Sequence, residues 1–336
     1  MENQAVINLK TLKRNALNIK KILPEKVKFC AVVKSDAYGH GAEKVANAIY
    51  SLVDCFAVAT ANEGVNLRLS GINKPILVLI PCQKEELGRA IRYSLTLTAQ
   101  SVEDLVIISE TAECYGEKVK VHIKFNSGMN RLGADLVELD KMLEYIKQHE
   151  RIDLDGLFSH YSNAKSKVSV KRATDKFLLA IKRVKGYNNR VTCHISASGG
   201  FLQGQYFDMV RIGILLYGYK PFKSKKISVK PVMRVYAPVI KKDLLLANSN
   251  CMYGKYKTKS ITTVSLVRYG YANGLSRRRV RGQINNRCMN ITALKGIKDE
   301  RVCVMDDADR LARVYKTISY EILVKCAINV QKIYIN

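Results

Sequence analysis

The chain has 336 residues and is 47% hydrophobic, so it is long enough for one large barrel or two domains and is not disordered. Lysine and arginine outnumber aspartate and glutamate by 56 to 29, which gives a formal net charge of +27. The basic residues are nevertheless spread along the chain, with short clusters only at Lys223–Lys226 and Arg277–Arg281. Because no zinc-finger, basic-zipper or RNA-recognition motif accompanies them, we do not expect nucleic acid as a main partner.

The sequence also argues against membrane association, secretion and a structural metal. No apolar run reaches the roughly 18 residues of a membrane-spanning helix, and the N-terminus lacks a basic segment followed by an apolar one. The nine cysteines are odd in number, scattered, and never in C-x-x-C spacing. Such cysteines are typical of reduced thiols rather than of disulfides or zinc ligands. We therefore expect a cytoplasmic protein without a metal site.

The first two-thirds of the chain alternate short apolar runs with longer amphipathic stretches. The predicted strands are Val27–Val33, Cys55–Ala59, Pro75–Ile80, Leu95–Thr98, Val119–Phe125, Leu154–Ser159, Val191–Ile195 and Met209–Ile212. The predicted helices between them include Ala42–Leu52, Val102–Cys114, Leu136–His149 and Val170–Lys185. Eight strands with intervening helices indicate an α/β fold, a parallel (β/α)8 barrel of the TIM type. An open doubly wound sheet is the alternative, but no G-x-G-x-x-G follows the first strand.

From about residue 220 the helical periodicity fades. Short strands are predicted at Val232–Ile240, Ser260–Val267 and Arg301–Val304, and Asp306–Tyr315 is the one segment here with a helical pattern. Lys220–Lys230 has the composition of a connection. The sequence thus predicts a barrel over residues 1–219 and a mostly-β C-terminal domain over residues 220–336.

Reactive groups of barrel enzymes lie after the C-terminal ends of the strands, and this chain has polar residues there. Lys34 follows the apolar run Ala31–Val33, which lowers the pKa of an ammonium and favours the neutral amine that a Schiff base requires. A surface lysine at a strand end is the ordinary alternative. Ser198–Gly200 and Gly213 supply small residues and backbone N–H groups after strands 7 and 8, where barrel enzymes often hold a phosphate.

Several motifs in order resemble those of the alanine racemase family. Val32–Gly41 looks like its pyridoxal phosphate attachment motif, and Gly128–Gly133 and Met209–Ile214 resemble its later barrel motifs. Gly270–Leu275 resembles the family's tyrosine motif, and Arg287–Asn290 resembles a flanking segment. The resemblance covers nearly the whole chain. It implies a barrel followed by a β-domain, and a homodimer whose active sites combine both subunits.

The resemblance also implies a two-base racemisation of a small amino acid, with alanine as the first assignment and pyridoxal 5'-phosphate as cofactor. Lys34 would hold the cofactor and act as one base, while Tyr271 of the partner subunit would be the base on the opposite face. Proton removal on one face and return on the other is what inversion of an α-carbon requires. The expected product, D-alanine, serves peptidoglycan synthesis in the cell wall.

Further roles follow from the same resemblance. Arg211 would face the pyridine nitrogen and suppress side reactions, His194 would orient Arg211, and His160 would support Tyr271 beside the cofactor. Arg131 would contact the cofactor's phenolic oxygen and the substrate carboxylate, and Lys124 occupies a position that is often carbamylated in the family. The phosphate would be bound by Tyr38, Ser198, Gly213 and Ile214. The backbone of Met289 would contact the substrate.

Some positions depart from the family pattern. Asn290 replaces the aspartate usual after this methionine, and Ile328 stands where alanine racemases have a tyrosine that contacts the phosphate and narrows the substrate pocket. These changes keep two alternatives open: a serine racemase of the same family, and a pyridoxal-phosphate-binding protein without catalytic activity. A diamino-acid decarboxylase is disfavoured, because no decarboxylase cysteine motif is found in the second domain.

Overall fold

A computed structural model describes residues 2–253, 257–276 and 286–336. The chain forms two compact units. The barrel unit comprises Leu12–Ala37 and Ala42–Lys230. The sheet unit comprises the described residues of Met1–Thr11, Tyr38–Gly41 and Pro231–Asn336.

The barrel unit contains eight parallel strands. They are β2 (Lys28–Val32), β3 (Cys55–Val58), β4 (Ile76–Val78), β5 (Leu97–Ala99), β6 (Val119–Lys124), β7 (Ile152–Phe158), β8 (Thr192–His194) and β9 (Met209–Ile212). Hydrogen bonding runs in the orders β4-β3-β2-β9 and β5-β6-β7-β8. Parallel bridges Leu77–Thr96 and Ala197–Arg211 join these two sheets at both ends. The strands therefore close into a cylinder, which confirms the predicted (β/α)8 barrel.

Helices cover the outside of this cylinder. They are Leu9–Lys20, Ala42–Ile49, Ala61–Leu69, Lys84–Arg92, Val102–Tyr115, Leu136–Lys147, Lys167–Tyr187 and Ser198–Leu202. In the helix Leu136–Lys147 the buried residues are Leu139, Met142, Leu143 and Ile146, at the spacing that places them on one face. Its first turn is capped by Asp135, whose carboxylate accepts from the backbone N–H of Glu138. Among the described residues no helix is both long and apolar enough to cross a membrane.

The described residues of the sheet unit form seven strands. They are β1 (Gln4–Asn8), β10 (Met233–Leu245), β11 (Thr262–Val267), β12 (Asn286–Arg287), β13 (Thr292–Lys295), β14 (Arg301–Met305) and β15 (Gln331–Ile335). The order is β12-β13-β11-β10-β1-β15, and β14 also pairs with β10. Two helices, Ala308–Tyr315 and Ser319–Cys326, complete the unit. The hydroxyl of buried Tyr269 donates to the carbonyl of Cys326 at 2.8 Å and ties the second helix to the sheet.

The two units separate between Lys230 and Pro231, at the end of the predicted connection Lys220–Lys230. β1 was not among the predicted strands and belongs to the sheet unit, where it pairs with β10 and β15. A five-residue strand has the same sequence pattern in a barrel as in a sheet. The partners of β1 lie more than 220 residues away in the chain, so no local pattern identifies them. The helix Ser319–Cys326 was not predicted either, although its buried residues Ser319, Ile322, Leu323 and Cys326 recur at helical spacing.

Candidate active site

Lys34 lies two residues after the end of β2, where the chain turns sharply. Ser35, Asp36 and Ala37 all have left-handed backbone angles, with φ between 52° and 54°. Each such residue other than glycine costs about 1–2 kcal/mol, so the turn needs support from its surroundings. Glu63 accepts from the backbone N–H of Ser35 at 2.6 Å, and Asp36 accepts from the N–H of Ala42 at 2.7 Å. These hydrogen bonds therefore support the backbone conformation of the turn that follows Lys34.

The amine of Lys34 is partly buried and surrounded by positive charge. Burial lowers its pKa most, and the neighbouring guanidinium groups of Arg131 and Arg211 lower it further, while Glu63 opposes them. A lowered lysine pKa means a larger fraction of neutral amine at a given pH. Neutral amine is the form that can attack a carbonyl group or accept a proton.

Arg211, the third residue of β9, is 3% exposed and is fixed by several hydrogen bonds. Its guanidinium donates to the carbonyl of Ser159 at 2.6 Å, to those of His194 and Ile195 at 3.2 and 3.3 Å, and to Nδ1 of His194 at 2.5 Å. Nδ1 of His160 lies 3.4 Å away. Burial lowers the pKa of Arg211 to about 10, so it stays a cation at neutral pH. The structure therefore holds a rigid buried cation here.

The two histidines beside Arg211 are neutral. Burial lowers the pKa of His194 well below its usual range, and Arg211 lowers it further. The pKa of His160 falls to about 3, first through burial and then through Arg211, Arg131 and both nearby lysines. The ring of His194 also stacks on Phe158, with centroids 5.3 Å apart. Both imidazoles can thus act as hydrogen-bond acceptors toward the guanidinium.

Lys124 and Arg131 complete a cluster of four cations with Lys34 and Arg211. Lys124 ends β6, is buried, donates to the carbonyl of Leu79 at 3.3 Å and lies over the ring of Phe158. Burial, followed by Arg131, Arg211 and Lys34, lowers its pKa to about 8. Arg131 lies exposed in the loop after β6, close enough to depress both lysine pKa values. The cluster suits a ligand with several negative groups.

The predicted phosphate-binding residues lie partly in this unit. Buried Ser198 begins the helix Ser198–Leu202 after β8, Gly213 directly follows β9, and buried Ile214 comes next in the chain. Tyr38 belongs to the sheet unit, where its buried ring lies 5.8 Å from the ring of Tyr320. The grouping of Ser198, Gly213 and Ile214 with Tyr38 around a phosphate therefore stays a prediction.

The sheet unit brings Tyr271 and Met289 together. The N–H of Tyr271 donates to the carbonyl of Cys288 at 3.2 Å, and that of Ala272 donates to the carbonyl of Met289 at 2.9 Å. A Cβ on Gly270 would lie 2.3 Å from each of these carbonyl oxygens, so only glycine permits this approach. Tyr271 is 38% exposed and Met289 is 55% exposed. Both side chains therefore remain accessible within this unit.

Two cavities of the sheet unit contain predicted residues. One, of about 350 Å³, is lined by Tyr271, Ile328, Ile322 and Tyr315, so the family departure at Ile328 shares a cavity with the predicted base. The other, of about 570 Å³, is lined by Asn290 together with Arg268 and Asn273. Exposed Asn290 thus lies at a second cavity, away from the walls that Tyr271 lines.

The comparisons with known proteins agree with this architecture. A family model described as alanine racemase, N-terminal domain, matches residues 7–221. The chain belongs to the alanine racemase family. A relative named alanine racemase 2 from Caldanaerobacter subterraneus is 32% identical, with 98% of this chain and 94% of the relative covered.

Solved alanine racemase structures have the same fold as this family member. The structure of alanine racemase from Clostridium difficile 630 superposes with a TM-score of 0.94 and 31% identity, covering 100% of this chain and 96% of that one. The structure from Bacillus anthracis with bound L-Ala-P gives a TM-score of 0.91 at 26% identity, covering 100% and 95%. The first covers both units at an identity that supports the family assignment.

The site of this alanine racemase family member also contains residues that the sequence did not reveal. His122 on β6 contacts His194, and Asp155 on β7 contacts His122. The one available signal was the spacing of His122 and Lys124, two residues apart on one strand and therefore on the same face. That signal could not show which residue of another strand lies beside His122.

Proposed function

We propose that this protein catalyses the interconversion of L- and D-alanine with pyridoxal 5'-phosphate as cofactor. The observation that carries the proposal is the amine of Lys34, with its lowered pKa, beside the fixed cation Arg211 at the C-terminal end of a family barrel. The cofactor supplies electron withdrawal at the substrate's α-carbon when it is bound. The protein's contribution is to hold reactive groups and move protons.

The residues of the barrel unit suit this cofactor. It carries a phosphate and a phenolic oxygen, both negative, and an amino-acid substrate adds a carboxylate. The basic side chains of Lys124, Arg131 and Arg211 would offset that charge, and Lys34 offers the neutral amine needed for covalent attachment. Tyr38, Ser198, Gly213 and Ile214 are proposed to bind the phosphate, and Arg131 the phenolic oxygen and the substrate carboxylate.

Arg211 is proposed to face the pyridine nitrogen. Its pKa of about 10 means that it donates a hydrogen bond but retains its proton at neutral pH. The ring nitrogen then stays unprotonated, which limits charge delocalisation and disfavours transamination. His194 orients the guanidinium, and His160, neutral and 3.4 Å from it, supports Tyr271.

Two bases act on opposite faces of the substrate. Lys34 removes or returns the α-proton on one face, and Tyr271 of the partner subunit does so on the other. Exposure of Tyr271 in the sheet unit supports a role that needs a second copy of the chain. The active unit is therefore proposed to be a homodimer with shared sites. Met289 and Asn290 would lie at the substrate side of the same arrangement.

Lys124 is proposed to carry a carbamate. Its pKa of about 8 provides neutral amine at neutral pH, which is the form that adds carbon dioxide. The amine nitrogen bonds to the carbon of carbon dioxide and loses one proton, which leaves a carboxylate on Nζ. That negative charge would pair with Arg131 and offset the excess of cations.

Serine is the second candidate substrate, because Ile328 shares a cavity with Tyr271 where a family tyrosine would narrow it. Isoleucine offers no hydrogen bond to a serine hydroxyl, so alanine remains the first assignment. D-alanine made by this reaction would supply peptidoglycan synthesis.

The test uses the purified full-length protein with pyridoxal phosphate. Wild type should show the visible absorbance of a covalently held cofactor, exchange the α-proton of L-alanine in D2O and lose optical rotation. Lys34→Ala should abolish all three, whereas Lys26→Ala, an exposed lysine just before the same strand, should leave them intact. Wild-type protein that cannot be loaded with cofactor would contradict the proposal. Cofactor absorbance without exchange would instead favour a non-catalytic cofactor-binding protein.

A further inference from the structure

A chain of buried hydrogen bonds extends from Arg211 through the barrel. Arg211 contacts Nδ1 of His194 at 2.5 Å, and Nε2 of His194 lies 2.9 Å from Nδ1 of His122. Nε2 of His122 in turn lies 3.1 Å from a carboxylate oxygen of Asp155. All four residues belong to the barrel unit. Both histidines are buried, whereas the Asp155 side chain is 39% exposed.

The donor at each step of this chain is set by its two ends. The guanidinium of Arg211 can only donate, so Nδ1 of His194 must accept and the proton of His194 must lie on Nε2. That proton is donated to Nδ1 of His122, which places the proton of His122 on its own Nε2. The ionised Asp155 can only accept, and it receives this last proton. Every bond therefore points from Arg211 toward Asp155.

We propose that Asp155 is a positioning residue for the racemase site, which through His122 fixes the tautomer of His194 and thereby the placement of Arg211. The expected effect on racemisation rests on the proposed function, whereas the histidine tautomers follow from the chain of hydrogen bonds. Among the residues that the structure describes, the hydrogen-bond partners of the Arg211 guanidinium are neutral, namely the carbonyls and imidazoles given above. Asp155 thus supplies the distant negative end of a chain whose positive end is Arg211.

The barrel provides a dedicated space for His122. A Cβ on Gly156, its register partner on β7, would lie 2.4 to 2.5 Å from three atoms of the imidazole ring. The same ring meets that of His194 edge-on, with centroids 5.0 Å apart, while Phe158 stacks on the other histidine. The ring of His122 is therefore held in one orientation. The contact with Asp155 then affects only which ring nitrogen carries the proton.

The charges around this chain agree with a neutral histidine pair. Burial lowers the pKa of both His122 and His194, and Arg211 and Lys28 lower it further, while Asp155 opposes the shift at His122. The hydrogen bond from His122 lowers the pKa of Asp155, and Lys120, 3.9 Å away, and Lys28 add to this. Asp155 therefore stays ionised at neutral pH, and the chain keeps its direction.

Asp155→Asn tests the proposal with little change in shape. An asparagine amide can turn either its oxygen or its N–H groups toward Nε2 of His122, so this end of the chain no longer requires a donor at Nε2. Where the N–H groups face Nε2, the proton of His122 lies on Nδ1 and that of His194 also lies on Nδ1, where it opposes the N–H of Arg211. Asp153→Asn is the matched control, because Asp153 lies two residues earlier on the same strand and takes no part in the chain.

The measurement is nitrogen NMR of the full-length holoenzyme labelled in histidine, with steady-state kinetics on alanine. Wild type and Asp153→Asn should show His122 and His194 protonated on Nε2. Asp155→Asn should show part of His122 and His194 protonated on Nδ1 and lose roughly 10- to 100-fold in kcat with little change in KM, the range found when the outer partner of a metal-binding histidine is removed. Asp155→Glu should recover part of this loss.

Nδ1 protonation of His194 in wild type, or Asp155→Asn indistinguishable from Asp153→Asn in tautomers and kcat, would overturn the proposal. The tautomer spectrum separates this outcome from a failure of the proposed function. A protein that does not racemise alanine would still show the wild-type pattern if the chain is right. Should Asp155→Asn fold poorly, the assignment of the wild-type tautomers alone decides the direction of the chain.

Discussion

The barrel unit and the sheet unit hold their predicted functional residues in different ways. Arg211 and Lys124 lie buried among backbone carbonyls and an aromatic ring, and their contacts come from several strands of one barrel. Tyr271, Ile328 and Met289 of the sheet unit remain exposed by 38%, 46% and 55%. The proposed site residues of the barrel unit are therefore held in place by their own unit, whereas those of the sheet unit remain partly exposed to solvent. In the proposed homodimer, this second half of the site would be completed by the partner subunit.

The free energy that the barrel unit loses by burying a site cation can be measured at Lys124. Its pKa of about 8 lies below the value of about 10.4 for a free lysine, so the folded state binds this proton less tightly than the unfolded state. Stability is then fully present above the unfolded pKa and is lost as pH falls toward 8. Lys124→Met should therefore raise the free energy of unfolding at pH 7 by about 1–3 kcal/mol, and the gain should shrink between pH 8 and 10.

Denaturant unfolding in carbonate-free buffer at several pH values measures this effect. Lys118→Met, which alters an exposed lysine just before β6, should show no such pH-dependent gain. If the two variants showed the same pH dependence of the free energy of unfolding, the buried cation at Lys124 would not destabilise the fold. The contrast between the two units would then have no support from stability.

The exposed half should instead affect the choice of substrate. Ile328 lines the cavity that also contains Tyr271, and a tyrosine there would narrow it. Ile328→Tyr should raise the ratio of kcat/KM for alanine over serine by about tenfold, the scale on which one small group is discriminated in a pocket. Ile318→Tyr, at an exposed isoleucine outside the lining of this cavity, is the control. An unchanged ratio in Ile328→Tyr would remove Ile328 from the substrate pocket.

Sequence patterns predicted the barrel better than the sheet unit. All eight barrel strands were found with ends within two residues of the prediction, because strands covered on both faces are nearly continuous apolar runs between amphipathic helices. β1 was missed because its partners lie at the far end of the chain. In the candidate site, Lys34 and Arg211 were recognised through motifs; Lys34 follows β2 and Arg211 lies on β9, and their roles stay predictions. His122 and Asp155 were not, since only the folded barrel brings β6, β7 and β8 together.

The central claim is that each racemase site combines Lys34 of one subunit with Tyr271 of the partner subunit. Lys34→Ala and Tyr271→Phe homodimers should each lose racemisation, on the order of 10²–10⁴-fold for each missing base. After subunit exchange in an equal mixture, every mixed dimer would contain one intact site, so about a quarter of the wild-type activity should return if pairing is random. Recovery of that activity on mixing is the predicted result. A mixture that remains as inactive as its components, although mass spectrometry shows mixed dimers, would contradict the shared site.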